Sequence, residues 1–326
     1  MTRFWLQIGL VGLGAGACSA LLFASMLSGS IVSVGLFYLS PLPILIVALG
    51  WSHWAGLVAA LAAALGLTFA FGPFYFLAFL ICIGVPAWWL GYLAMLARPA
   101  GPADELEWYP LGRLVVWGAV LGALMTLVAL SQLGSDKATI QATLRDAIER
   151  MLRAQTQIPA DKPLVLGGLS DAGAFIDILV AVMPPAAAAL TTVTQLFNLW
   201  LAARVVRISG RLKRPWPDLA AMRFPLATLV ALAAATAGSF LPGIVGIAAA
   251  LPAASLLVAY AALGFAVLHG ITRHLPSRGV VLFGTYAAVA VFGWPILLMT
   301  LLGLIDTALD LRRRVAALRG PPAPLA

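Results

Sequence analysis

The clearest group of side chains that could bind a ligand lies in the apolar segment 173–205. Thr191, Gln195 and Asn198 follow one another at intervals of four and three residues, so an α-helix presents them on one face. Hydroxyl and amide groups in an apolar helix need hydrogen-bonding partners. This polar stripe therefore predicts either hydrogen bonds to neighbouring helices or a solute cavity, to which Asp177 in the same segment would add a carboxylate.

A second group of charged residues stands in the sequence GLIDTALDLRRR near the end of the chain. Asp306, Asp310 and Arg314 are each four residues apart, and Arg313 is adjacent, so one helix would bring opposite charges together. We interpret the group as a charge cluster that anchors the last span at the headgroups. Proton coupling through Asp306 is the alternative.

The first apolar segment carries a row of small residues, Gly12, Gly16, Ala20 and Ala24, each four positions from the next. Small residues let the backbones of two membrane helices approach closely. The row predicts helix packing within the protein or, alternatively, docking of a partner membrane subunit.

Motifs for the common catalytic and cofactor-binding sites are absent from the sequence. It contains neither the GxxxxGK[ST] pattern of ATP-binding loops nor an HExxH metal motif. Cys18 and Cys82 stand in predicted spans without CxxC or Cys/His spacing. We therefore expect a protein that is not an enzyme and that binds neither a cofactor nor a metal ion.

The elements that must position these residues are transmembrane helices. Residues 4–97 contain no Asp, Glu, Lys or Arg, and hydrophobic residues make up 62% of the 326. A hydrocarbon core needs about 20 apolar residues per helical span, so the fold class is all-α, a polytopic transmembrane bundle of about 8–10 spans within one integral membrane domain, 1–326. The predicted runs are 4–26, 31–50, 54–72, 74–96, 111–131, 173–205, 224–240, 244–268 and two short spans within 280–311.

The basic residues indicate the topology. With ten spans and a cytoplasmic N-terminus, 15 of the 20 Lys and Arg lie in inner segments, in agreement with the positive-inside rule. We predict cytoplasmic N- and C-termini and a basic cytoplasmic loop at 206–223 that contacts anionic lipid or a cytoplasmic partner. The net charge of +8 therefore reflects topology and does not indicate nucleic-acid binding.

The segment 132–170 is predicted to be an extracytoplasmic loop that contains an amphipathic helix. Apolar residues recur at helical spacing from Ile140 to Met151, and Ser135 or Asp136 can cap the start. Two placements are open, one against the bundle or at the membrane interface and one as a lid over an outward-facing cavity.

Several pieces of the chain resemble one family. The block NLWLAARVVRISGRLKRPWPDL, the terminal GLIDTALDLRRR and the span pattern resemble the YybS-like family, a domain family of unknown function in bacterial membrane proteins. That family is in turn distantly similar to the substrate-binding membrane components of energy-coupling factor transporters. The similarity implies capture of a small solute and docking through small residues of the first helix, here the row that begins at Gly12. The chain departs from the six-helix component by extra spans and a long outer loop.

Together these features predict a multi-pass protein of the bacterial cytoplasmic (inner) membrane. The leading hypothesis is a small-solute-binding transport component that works with separate energising subunits. The alternative is a structural or assembly protein of the cell envelope that binds partner proteins or lipids. The lipid bilayer is the expected partner in both cases.

Overall fold

A computed structural model describes residues 2–100, 105–159, 164 and 171–318. In this part of the chain helices predominate. The α-helices are α1 Thr2–Ala24, α2 Ile31–Tyr38, α3 Pro41–Gly50, α4 His53–Phe71, α5 Phe74–Phe79, α6 Val85–Ala94, α7 Leu111–Ser131, α8 Lys137–Thr156, α9 Ala172–Ile208, α10 Ala227–Ser239, α11 Gly243–Ile271, α12 Arg278–Phe292, α13 Ile296–Leu309 and α14 Leu311–Leu318.

The predicted all-α polytopic bundle is confirmed. Within the described ranges, seven helical stretches are long and apolar enough to cross a membrane: Arg3–Ser28, Ile31–Gly50, His53–Phe71, Phe74–Ala94, Leu111–Ser131, Ala172–Ile208 and Gly243–Ile271. Three further apolar helices, α10, α12 and α13, have 13, 15 and 14 residues, fewer than the roughly 20 that span a full hydrocarbon core. These helices correspond in number and position to the predicted runs.

Two of the predicted spans are interrupted near a proline. The second consists of α2 and α3, because Pro41 at the start of α3 lacks the N–H that would continue the helical ladder. The fourth consists of α5 and α6, joined by a π-helical turn at Leu80–Gly84 that precedes Pro86. The break between α2 and α3 exposes backbone carbonyls inside the bundle.

The longest helix is α9, with 37 residues. Pro184 and Pro185 lie inside it, yet the helix continues past both. At 1.5 Å per residue it is about 55 Å long, so it extends beyond a hydrocarbon core of roughly 30 Å. It therefore contributes to both ends of the bundle.

Buried apolar side chains form three clusters. The first joins α1, α3, α4, α6 and α9, with Ile44, Leu45 and Phe79 fully buried. The second joins α7, α10, α11 and α13 around Tyr260 and Leu263. The third joins α7, α8, α9 and α11. Since α9 and α11 each take part in more than one cluster, they connect the bundle.

Helix α8 packs against the bundle through an apolar stripe. The carboxylate of Asp136 accepts a hydrogen bond from the backbone N–H of Thr139 at 3.1 Å and caps the helix. Ile140, Leu144 and Ile148 are buried against α9 and its neighbours, while Met151 is 49% exposed. Residues 160–163 and 165–170 of the predicted loop lie outside the described residues, and the side of the membrane on which α8 lies stays a prediction.

One end of the bundle carries most of the basic connections, and we call it the basic end. A hairpin lies there, in which β1 Ala97–Ala100 pairs antiparallel with β2 Glu105–Trp108. The loop 209–226 lies there as well, because Arg214 in this loop donates hydrogen bonds to the carbonyls of Ala94 and Tyr109. The sequence did not predict the hairpin, whose strands have four residues each.

Candidate functional site

A cavity of about 700 Å³ lies at the basic end. It is bounded by α3, α6, α7, α9, α11, α12 and the loop 209–226, and most of its walls are apolar. Its volume is within the range of about 300–1,000 Å³ that small-molecule sites occupy. The apolar lining residues are Leu49, Ala94, Met95, Leu111, Leu114, Val115, Leu196, Leu199, Trp200, Ala203, Leu212, Trp216, Pro217, Leu219, Ala220, Met222, Ala262, Phe265 and Ala266.

The polar part of the lining is basic. Arg214, Arg273 and Arg278 line the cavity together with His269, and Asp218 is the one carboxylate among the lining residues. Arg273 Nη2 donates to Asp218 Oδ2 at 2.7 Å. Two of the three arginines are therefore left without a carboxylate in the lining, and the cavity has a positive field.

Arg214 is held by backbone groups. Its guanidinium donates to the Ala94 carbonyl and to the Tyr109 carbonyl, both at 2.9 Å. Burial lowers the pKa of Arg214 from its ordinary value, but a guanidinium stays protonated in proteins. Its hydrogen bonds fix the loop against the ends of α6 and α7, while its charge is not neutralised by them.

Arg278 stands at the start of α12 with an unused donor. Its Nε is buried and has no hydrogen-bonding partner in the described part of the chain. A buried donor without an acceptor costs about 1–3 kcal/mol. A ligand with anionic oxygens in the cavity would offer such an acceptor.

Asp218 organises the rim of the cavity. It caps the short turn Leu219–Ala221, where its Oδ1 accepts from the Ala220 N–H at 3.0 Å. The hydrogen bond from Arg273 is the main reason that the pKa of Asp218 lies below its ordinary value. The carboxylate is therefore charged at neutral pH and keeps Arg273 beside the loop.

Aromatic contacts attach the loop and α12 to the rest of the site. The Arg207 guanidinium lies 4.8 Å from the ring centroid of Trp216, a cation–π contact. Tyr286 of α12 stacks on Phe265 of α11 with centroids 5.1 Å apart, and its hydroxyl lies 3.0 Å from His269 Nε2. Because α12 has no buried residue, these rings are its principal described connection to α11.

The predicted polar stripe lies beside the cavity but does not line it. Gln195 and Asn198 are buried, with 1% and 0% exposure. Asn198 Nδ2 donates to the Tyr38 carbonyl at 2.8 Å, at the break between α2 and α3, and Gln195 Nε2 contacts Met125 Sδ at 3.2 Å. The geometry favours the interpretation as hydrogen bonding between helices, and solute binding by this face stays a prediction.

Thr191 does not share the buried face. Its hydroxyl donates to the Ala187 carbonyl of its own helix at 2.8 Å, and it is only partly buried. The adjacent Thr192 is fully buried instead. The spacing of four and three residues therefore selected the wrong threonine, because the packed face of α9 passes through positions 188, 192, 195 and 199.

We call the buried polar residues around the helix break the mid-bundle polar cluster: Ser19, Ser40, Gln195 and Asn198. All four are almost completely buried. Ser19 Oγ donates to the Ser40 carbonyl at 2.5 Å. Three of its side-chain oxygens have no partner among the described residues, namely Ser40 Oγ, Gln195 Oε1 and Asn198 Oδ1. The cluster thus binds α1 and α9 to the break.

Asp177 lies at the opposite end of α9 from the cavity. Its side chain is 66% exposed and forms an ion pair with Arg145 of α8. Eighteen helical residues separate it from Gln195, about 27 Å along the axis. The structure therefore corrects the prediction that Asp177 shares a site with the stripe, because this carboxylate connects α8 to the bundle surface.

The small-residue row of α1 faces α4. A Cβ added to Gly16 would lie 2.6 Å from the Ala59 carbonyl oxygen, and one added to Gly12 would lie 2.8 Å from a Val58 methyl. Ala20 and Ala24 pack in the same cluster. This face is covered by the chain's own helix, which agrees with packing inside the protein, and it is not free for a partner subunit.

The charge cluster near the C-terminus uses a different arginine from those predicted. Asp306, only 4% exposed, pairs with Arg312 at 2.7 Å, and Arg312 also donates to the carbonyls of Ala220 and Met222. Arg313 and Arg314 are exposed. The helix ends before Asp310, whose φ is +49°, so the predicted ladder of residues four apart does not form.

Asp310 instead pairs across the chain with Arg223 of the loop 209–226, at 2.8 Å. Together with the bonds of Arg312 this fixes the loop to the end of α13. The sequence placed acids and arginines at this end but missed Arg312. The partners that Asp310 and Arg312 find in the loop 209–226 are about 90 residues away, so local spacing gives no signal of them.

The apolar helices and the buried polar contacts between them define the class: a polytopic helical membrane protein. The model of the family described as "Predicted membrane protein (DUF2232)" matches residues 17–307. The chain belongs to this family. No curated protein and no solved structure matches it.

Proposed function

We propose that this protein is a non-enzymatic binding component of the bacterial inner membrane, which holds a small solute in the cavity at the basic end and works with separate energising subunits. The observation that carries the proposal is the cavity itself, about 700 Å³ with apolar walls and three arginines. Apolar walls with a few polar groups are typical of ligand sites. The positive-inside rule assigns the basic end to the cytoplasm.

The energy for transport would come from outside the chain. The sequence has no ATP-binding loop motif. A component of this kind would share its cytoplasmic surface with an ATPase complex, as the resemblance to the YybS-like family and the distant similarity to energy-coupling factor components imply. The basic loop, fixed by Arg214 and Arg312, offers a rigid surface for such a contact.

A structural or assembly role in the envelope is the second candidate. It is favoured by the ion pairs Asp306–Arg312, Asp310–Arg223 and Asp218–Arg273, which organise the basic end without any ligand. In that role the cavity would be a gap between helices, and the surface formed by these ion pairs at the basic end would bind the partner.

Purification from the native membrane in mild detergent, followed by mass spectrometry of proteins and small molecules, tests the proposal. Co-purification of ATPase and coupling subunits together with a bound small molecule is the expected result. Envelope-synthesis partners without a bound small molecule would contradict it and support the second candidate.

A matched pair of variants locates the ligand. Ala262→Phe places a ring in the cavity, which Ala262 lines, whereas Ala186→Phe places the same ring on an exposed position of α9. We expect loss of the small molecule from the first variant and retention by the second. Equal retention by both would show that the ligand is not in this cavity.

A further inference from the structure

The cavity combines an apolar wall with an excess of positive charge. Helices α7, α9 and α11 supply apolar side chains such as Leu114, Leu199 and Ala266, while Arg273 and Arg278 lie where the loop and α12 meet α11. A purely apolar solute would leave the guanidinium groups without acceptors. A small hydrophilic anion would leave the apolar walls in contact with water.

We propose that the occupant is an amphiphile with an apolar chain and a phosphate-type anionic headgroup. This assignment rests on the proposed function, since it names the ligand class of the same cavity. The apolar chain of the amphiphile lies against the helices, and its headgroup lies at Arg278 and Arg273. Guanidinium groups pair with phosphate oxygens through two parallel N–H donors, and this geometry suits two arginines at one rim.

Arg278 has the strongest individual reason to bind the headgroup. Arg278 lines the cavity and takes part in none of the ion pairs of the described residues, so its charge is available to a phosphate group. Arg273 Nη2 already donates a hydrogen bond to Asp218. This bond keeps the guanidinium at the rim and leaves further N–H donors on the group. The two arginines thus form a headgroup site in which only one is partly neutralised.

The cavity also reaches the lipid-facing surface. Trp200 lines the cavity and is 46% exposed. Tyr286 of α12 has the same two properties, with 46% exposure. Tryptophan and tyrosine prefer the level of the headgroups in a bilayer. In this proposal the amphiphile enters beside these two partly exposed side chains, with its headgroup at the level of the arginines.

Native mass spectrometry of the full chain tests this assignment. The detergent-solubilised protein is mixed with phosphatidylglycerol or with phosphatidylcholine of the same acyl chains, and inorganic phosphate is added as a competitor. Both lipids carry a phosphate, but the arginines repel the choline cation of phosphatidylcholine. We therefore expect phosphatidylglycerol to be retained about tenfold more strongly, which corresponds to about 1.4 kcal/mol. Inorganic phosphate should compete poorly because it has no chain.

The double variant R273Q/R278Q should reduce retention of phosphatidylglycerol about tenfold or more. Arg204→Gln is the matched control, because Arg204 is exposed near the same end of α9 and does not line the cavity. Should the double variant fold poorly, Arg278→Gln alone is used, since its Nε gives up no hydrogen bond within the described chain.

Several outcomes would overturn the assignment. Equal retention of the two lipids would show that the headgroup charge is not recognised. Full competition by inorganic phosphate would show that the acyl chain of the lipid is not recognised. If Ala262→Phe removes the lipid while R273Q/R278Q retains it, the headgroup assignment fails and the proposed cavity function stands. If neither variant changes retention, both fail.

Discussion

The mid-bundle polar cluster and the cavity at the basic end lie next to each other on α9, yet they differ in what they offer a ligand. Around Asn198 the helices pack closely, and its Nδ2 donates to the Tyr38 carbonyl at the break and to the Thr194 carbonyl of its own helix. The next two residues, Leu199 and Trp200, line the cavity. Polar residues in a membrane helix thus mark a helix contact here, and mostly apolar residues mark the cavity.

The difference follows from the cost of unpaired polar groups. Within hydrocarbon an amide needs partners, and the amide nitrogens of Gln195 and Asn198 find them at Met125 Sδ and at the Tyr38 carbonyl. An apolar cavity wall in the same membrane needs no hydrogen-bonding partners, so the helices can stay apart there. In the proposed site, specificity would come from the charged groups at the end of the bundle, Arg273 and Arg278.

The buried pair Asp306–Arg312 helps to hold the basic end rigid, and breaking this pair should have the largest effect. Arg312→Met leaves Asp306 buried without its partner, and removal of one member of a buried ion pair costs about 3–5 kcal/mol. We expect the largest loss of stability of any variant considered, measured by thermal unfolding in detergent.

The double variant Asp306→Leu with Arg312→Met is the control for that prediction. Replacing both members removes the uncompensated charge, so it should recover a large part of the lost stability. A double variant no more stable than Arg312→Met would show that the hydrogen bonds of Arg312 to Ala220 and Met222 matter more than the charge.

Helix α1 supplies Ser19 to the mid-bundle polar cluster, and its small-residue row packs against α4. Gly16→Leu forces a side chain into the Ala59 backbone and should cost about 1–3 kcal/mol. Gly9→Leu, where a Cβ would have no neighbour within 4 Å, should be close to neutral. Thermal unfolding of the two variants checks the difference, and equal effects would contradict the packing of the small-residue row.

Substitution of both amides in α9 sharpens the contrast with the cavity. Hydrogen bonds between membrane helices contribute on average about 0.6 kcal/mol, so Gln195→Leu with Asn198→Leu should lose about 1 kcal/mol of stability and keep its bound ligand. A stably folded double variant that lost the ligand would move the binding site from the cavity to the polar cluster.

The smallest expected effect concerns the rim pair Asp218–Arg273. The folded pKa of Asp218 is lowered, so its stabilisation is fully present above the unfolded value of about 3.9 and is lost as the pH falls through the folded pKa. Both side chains are about half exposed, and the contribution should stay below about 1 kcal/mol.

Comparison with Asp218→Asn measures this contribution. The variant should unfold at a slightly lower temperature than the parent at neutral pH, and the difference should shrink as the pH falls through the lowered folded pKa of Asp218 and the parent side chain also becomes neutral. A difference that persists in acid would assign the effect to the cap of Leu219–Ala221 and not to the ion pair.

The fold could be predicted from the sequence because each span is a continuous apolar run, a signal that length alone makes strong. The buried stripe of α8 also follows from local residue types, whereas the break at Pro41 was not predicted within the run 31–50. The site could not be predicted in this way. Its lining comes from seven separate elements, and about half of it is Leu and Ala, which in sequence look like any lipid-facing or packed position.

Long-range pairing is the other part that local spacing misses. Arg312 stands beside Arg313 and Arg314 in an unbroken basic run, and nothing in the run distinguishes the buried one. The selection is made by the left-handed backbone at Asp310, which ends α13 and turns Arg312 back towards Asp306. The loop that provides its carbonyl partners is 90 residues away in sequence.

The number of phosphatidylglycerol molecules retained per protein, measured by native mass spectrometry on three forms of the chain, tests the central claim most directly. The parent and the variant Gln195→Leu with Asn198→Leu should retain the lipid equally, while Ala262→Phe should lose it. Retention by Ala262→Phe together with loss from the amide variant would contradict the account and place the ligand at the mid-bundle polar cluster.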